Sequence, residues 1–243
     1  EEQETSEPRT IRSLVMHSSE LDTLTKEGSS LLHEATLGGR TAWVRLLLSH
    51  GASPHIKNSS ANFAGTTPLG CAVSLQTGTT RNAIIAALLD AGASPNIQNN
   101  LREAPIHWLS ECYDVEQVKN LLTAGALANL AGKNFTTALH KVLKPFGSHT
   151  PHSRSNQKAL LKILLQAGAS VLAENAKEVS ALEVLFNSTD FDEYDEELVE
   201  EIIKDSFLRP VSYRNALCNL CNRCNSNSSR KKTLLKAMTN KLA

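Results

Sequence analysis

The chain has 243 residues, with 25 Lys and Arg against 25 Asp and Glu, so it carries no formal net charge and does not have the balance of a generic polyanion binder. Hydrophobic residues make up 41% but aromatics only 5%, so Leu, Ala, Val and Ile must build the interior, and neither a disordered nor a collagen-like chain fits. Charge interrupts the apolar runs within about ten residues, short of the roughly 20 that span a bilayer; five cysteines, odd in number, make no disulfide scaffold, so a reducing, cytoplasmic setting is expected.

In chain order, residues 1–8 form an acidic stretch expected to be a disordered tail. Ile11, Leu14 and Val15 then take the i, i+3, i+4 spacing of one helix face, followed by Ser18-Ser19. Ser30-Leu31-Leu32-His33 is a helix start with a serine cap. The triplet returns as Val44, Leu47 and Leu48, ahead of Gly51-Ala52, where a left-handed C-cap is expected. Both elements then recur. Thr67-Pro68-Leu69-Gly70 precedes Ile85, Leu88, Leu89 and Gly92-Ala93, and Ala104-Pro105-Ile106-His107 precedes Val118, Leu121, Leu122 and Gly125-Ala126. Thr137-Ala138-Leu139-His140 precedes Leu161, Leu164, Leu165 and Gly168-Ala169. Ser180-Ala181-Leu182-Glu183 precedes Val199, Ile202 and Ile203, with Ser206-Phe207 in the Gly-Ala slot. Asn215-Ala216-Leu217-Cys218 reads as one more helix start, and Leu234-Leu235 as a degenerate cap.

Spacing makes this a repeat rather than a coincidence of motifs. From each glycine to the next motif Leu or Ile is 14 residues at three junctions and 18 at the fourth. From there to the next glycine is 19 residues twice, then 23 and 29. The period is therefore 33, with insertions of 4, 4 and 10 expected where helices meet loops.

A 33-residue helix-turn-helix unit opening on a Thr-Pro-Leu-His pattern resembles the ankyrin repeat. The resemblance runs over about residues 9 to 240, strongly from 28 to 187 and weakly after 207. It implies an all-α solenoid over residues 9–207, of five to six repeats with terminal half repeats and short hairpin fingers, followed by a basic segment, 208–243, as a degenerate capping repeat. It further implies a monomeric, non-catalytic module without cofactor, an adaptor, scaffold or inhibitor whose concave face binds a protein. Enzyme signatures such as a Gly-rich phosphate loop, His-Glu-x-x-His or Gly-x-Ser-x-Gly are missing from the sequence.

That face is expected to carry Glu34, Cys71, Trp108, Lys141 and Val184, two residues after each motif Leu or Ile, and Leu37, Ser74, Glu111 and Lys144 three residues further on from the first four. Trp108 among charges has the composition of an interface anchor, the alternative being that it fills the seam between the third and fourth repeats. Tyr113 shares both readings. The resemblance assigns His33, His107 and His140 to hydrogen bonds between fingers rather than to metal or catalysis. Gly70 and Glu183 depart from that histidine and mark weaker junctions, the fifth repeat being the likeliest to loosen. The resemblance also implies that Asn96 and Asn129 stand in a slot whose asparagines can be substrates of an asparaginyl hydroxylase.

Cys218, Cys221 and Cys224 have no fourth ligand nearby for a closed zinc site, so a buried apolar stripe is the favoured reading and no metal is expected. His149 and His152, alone in the longest insertion, make no site. Residues 190–201 are acidic, whereas 208–243 contain no acid. Arg223, Arg230, Lys231, Lys232 and Lys236 there form a basic patch, so nucleic acid or anionic lipid is the alternative partner, with the repeats as scaffold. The asparagine-rich loops also fit an effector of an intracellular bacterium, acting in a host cytoplasm or nucleus, beside an ordinary eukaryotic regulator.

Overall fold

The computed structural model describes residues 21–60, 64–76, 78–143 and 151–187. Among these residues are nine α-helices: α1 (Leu31–Leu37), α2 (Thr41–Ser49), α3 (Pro68–Val73), α4 (Thr79–Asp90), α5 (Pro105–Glu111), α6 (Val115–Thr123), α7 (Ala138–Leu143), α8 (Pro151–Gln166) and α9 (Ala181–Asn187). The same residues hold no strand, only an isolated bridge between Glu174 and Ser180. The N-terminal half repeat, the acidic stretch, the three clustered cysteines and the basic segment all lie outside the described residues.

The recurring motifs become recurring helix ends. Ser30 opens α1 with a capping box: its hydroxyl accepts from the His33 N–H, and His33 Nδ1 accepts in return from the Ser30 N–H at 3.3 Å. Thr67 caps α3 through the Gly70 N–H at 3.3 Å, with Pro68 at the first helical position. In α9 the partner is Glu183, whose carboxylate accepts from the Ser180 N–H at 3.1 Å. At the other ends of three helices, the last two residues of the apolar triplet supply the carbonyls of a Schellman closure. Gly51 donates to Leu48 at 3.1 Å and Ala52 to Leu47 at 3.0 Å, and the same pairs of bonds close α4 and α8. Gly51 holds φ at +90°, a left-handed geometry that glycine adopts without steric cost.

The chain divides into two compact units, residues 1–108 with 123–126, and residues 109–122 with 127–243. In the first, α1 packs on α2 and α3 on α4, while α1 lies against α3 and α2 against α4. Leu32, Val44, Leu47, Leu69, Ile84, Ile85, Leu88 and Ile106 are buried there, each contributing about 1.5–3 kcal/mol of transfer free energy. In the second, α7 packs on both α8 and α9 over Leu139, Leu160, Leu161, Leu164, Leu182 and Leu185. One helix of a pair leaves an apolar stripe uncovered, so in each unit the burial is completed between pairs.

The fingers between pairs are short hairpins. Asn99 donates to Glu103 at 3.0 Å, Gly132 to Thr136 at 2.7 Å and Asn175 to Val179 at 3.0 Å, each closing a loop of the same length. The finger closed by Asn58 and Thr66 is longer, and it absorbs the four extra residues of that junction. The second insertion is shared between a longer α4 and the turn before it. The third departs from the expected loop: α8 starts at Pro151 and adds about two turns of helix ahead of the triplet. Residues 151–160 contain no helix breaker after the opening proline, and Gln157 ties this extension to α7 by donating to the Val142 carbonyl at 2.8 Å.

Candidate functional site

His33 and His140 behave as structural donors. His33 Nδ1 accepts a backbone N–H, which assigns the proton to Nε2, and Nε2 lies 3.0 Å from the Thr66 carbonyl oxygen in the next finger. His140 repeats this with the Thr137 N–H at 3.2 Å and the Val179 carbonyl at 3.2 Å. Burial pushes the pKa of both imidazoles down, because the charged form loses its hydration. His107 Nδ1 accepts from the Ala104 N–H at 3.0 Å.

Asn96 and Asn129 also tie neighbouring repeats. The Asn96 amide donates to the Gly125 carbonyl at 2.9 Å. The Asn129 amide donates to the Gly168 carbonyl at 2.7 Å and accepts from the Ser170 N–H at 2.6 Å. Asp22 occupies the same slot and accepts from the Ser53 N–H at 2.8 Å. These side chains satisfy backbone groups at the helix ends that the helices leave unpaired. Several loop asparagines have a local task too: Asn99 and Asn175 each fold their carboxamide oxygen onto two N–H groups of their own finger.

The residues expected to face outward separate into distinct environments. In the first unit Glu34 and Ser74 are exposed and Leu37 is half-buried. Cys71 is instead fully buried, at 0% exposure, and its thiol pKa is pushed up to about 12, first by burial and then by the nearby Glu34 carboxylate. The register of α3 therefore turns a small thiol inward where α1 turns a glutamate outward. In the second unit Lys141 Nζ donates to the Glu111 carboxylate at 3.0 Å, both half-buried. Tyr113 is interior at 7% exposure: it sits at φ +55° between α5 and α6, with its hydroxyl 3.5 Å from the Val142 carbonyl and its own carbonyl accepting from Asn156 at 3.2 Å. Lys144 lies outside the described residues, as do Arg223, Arg230, Lys231, Lys232 and Lys236.

Trp108 is 42% exposed, on the open side of α5, and borders a cavity of about 210 Å³ within the first unit. Leu101, 53% exposed at the tip of the third finger, Ile97 and Pro105 form its apolar wall, and Gly70 and Glu103 line it as well. Sequence periodicity did not single out Leu101, because finger tips carry no helical or strand period. Gly70 was visible as a departure from the motif, but the space beside it depends on which side chains from two fingers meet there.

Helix pairs of one period, closed by the same caps and tied by the same side chains, define a repeat protein of stacked helix-turn-helix units. Residues 4–99 match the family model described as ankyrin repeats, in three copies. These residues carry ankyrin repeats, and ankyrin repeats generally mediate protein–protein interaction and are generally non-catalytic. No helix among the described residues is long and apolar enough to cross a membrane.

Proposed function

We propose that this chain is a non-catalytic binding module whose protein partner docks on the inner-helix and finger face of the first unit, around Glu34, Ser74 and Trp108. The observation that carries this reading is the meeting of two exposed large apolar side chains, Trp108 and Leu101, at the mouth of one cavity. Surface hydrophobes scattered singly are ordinary, whereas a contiguous set around a concavity, with a tryptophan at its edge, has the anatomy of an interface anchor. The role is that of an adaptor, scaffold or inhibitor in the cytoplasm, or of an effector in a host cell, and each of these works by binding.

An affinity pull-down from nuclease-treated eukaryotic lysate, read by mass spectrometry, tests this with wild type and with the double change Glu34→Lys, Trp108→Ala. Both positions are exposed, so circular dichroism of the variant should match wild type. A protein held by wild type and released by the folded variant supports the face. Equal retention by both chains places the partner elsewhere and ends this reading.

A further inference from the structure

In the first repeat the imidazole of His33 bridges Ser30 and Thr66, with Thr67 following. One repeat on, the counterparts of His33, Ser30, Thr66 and Thr67 are Gly70, Thr67, Glu103 and Ala104, and these four residues border the cavity. Where its neighbour places a flat ring with an N–H aimed at a carbonyl, this junction has a glycine whose Cβ position is taken by the Thr66 methyl, and an opening lined by both residues. A cavity of about 210 Å³ is smaller than the roughly 300–1,000 Å³ of drug-sized or cofactor sites, so it suits one side chain.

We infer that this opening accepts an arginine side chain from a linear segment of the partner. The inference rests on the binding face proposed above and names the chemistry that face selects. Among the cavity-lining residues the one charged side chain is the Glu103 carboxylate, 6% exposed, and no lysine or arginine lines it. A carboxylate there favours a cation, and a planar guanidinium matches the carboxylate with two parallel N–H donors. The aliphatic stem has Leu101, Ile97 and Pro105 to lie against. The Trp108 indole at the rim provides a face for cation–π contact. Lysine, a compact and strongly hydrated point charge, fits less of this arrangement.

The test selects a phage-displayed library of random linear peptides on the immobilised 243-residue chain, then measures synthetic versions of the selected peptides by fluorescence anisotropy. The expected result is a shared arginine whose replacement by the isosteric, neutral citrulline weakens binding by roughly tenfold or more. Glu103→Gln should remove most of that arginine–citrulline difference. Ser74→Lys, a change at an exposed lining position that leaves the core alone, should weaken the arginine peptide and spare the citrulline one. Selection of no peptide, selection without a common arginine, or equal binding of arginine and citrulline forms overturns the inference. Peptides that bind without arginine yet are lost on Trp108→Ala sink the arginine pocket and leave the binding face standing; peptides that survive Trp108→Ala sink both.

Discussion

The Nε2–H of His33 donates to the carbonyl oxygen of Thr66, 3.0 Å away and 33 residues along the chain. The opposite ring nitrogen accepts from the Ser30 N–H, so the ring bridges two repeats only while it is neutral. Protonation would put a proton on Nδ1, against a backbone donor.

This fixes the sign of a pH effect. The unfolded imidazole titrates near 6.5, and His33 and His140 in the fold titrate lower because they are buried. Between the two values the unfolded chain binds more protons, so the stability these rings contribute is whole above about pH 6.5 and is lost as pH falls to the folded value. The urea midpoint is therefore expected to be lower near pH 5.5 than near pH 7.5. The double change His33→Gln, His140→Gln should lower the midpoint near pH 7.5 and flatten its pH dependence; a slope as steep as wild type would remove these rings as its source.

Asn129 ties α8's closing turn to the preceding finger with bonds to Gly168 and Ser170. Asn129→Ala is expected to cost about 1–2 kcal/mol, since two backbone groups lose a partner but both can reach water. Urea unfolding followed by circular dichroism measures it, and a change under a few tenths of a kcal/mol would mean that water replaces the amide without loss.

Adjacent positions on α5 should respond in opposite ways. Leu109 is fully buried, and Leu109→Ala should destabilise by about 2–5 kcal/mol. Trp108→Ala, at a position 42% exposed, should change stability by less than about 1 kcal/mol while reducing partner binding. Thermal melts of the two variants compare them directly. A Trp108→Ala loss as large as that of Leu109→Ala would give the indole a core role instead.

Cys71 is expected to resist alkylation in the native chain, since its thiol titrates at about 12 and is buried, whereas exposed Cys112 should react. Iodoacetamide labelling with peptide mapping distinguishes them. Native-state labelling of Cys71 at the rate of Cys112 would show that α3 opens readily.

Most of the helix boundaries were legible because their causes are local. Gly51-Ala52 and its copies announce a left-handed closure within six residues, and Ser30 or Thr67 announces a cap within four. The same locality explains what escaped. Cys71 and Glu34 share a motif position, yet one is interior and the other exposed, because burial at that position depends on what packs across from the neighbouring helix. In the sequence Tyr113 fits either the face or the seam between repeats, and the structure buries its ring, at a positive φ between α5 and α6. The longest insertion looked like loop because it broke the period, although nothing in it after Pro151 opposes helix. The cavity beside Gly70 is the least legible feature, being lined by residues of two fingers and two helices that lie far apart in the chain.

The side-chain ties between neighbouring repeats share a simple arithmetic. His33 reaches Thr66, Asp22 reaches Ser53, Asn96 reaches Gly125, and Asn129 reaches Gly168 across its ten-residue insertion: each tie runs forward into the repeat that follows. A gene for such a chain can be lengthened or shortened by duplication or loss of one whole period, and each tie then finds an equivalent acceptor in the unit that follows. A deletion of half a period leaves buried donors facing the wrong element. Length variation in this chain's descendants should come in repeat-sized steps, while the finger tips and the turn before α8 absorb changes of a few residues.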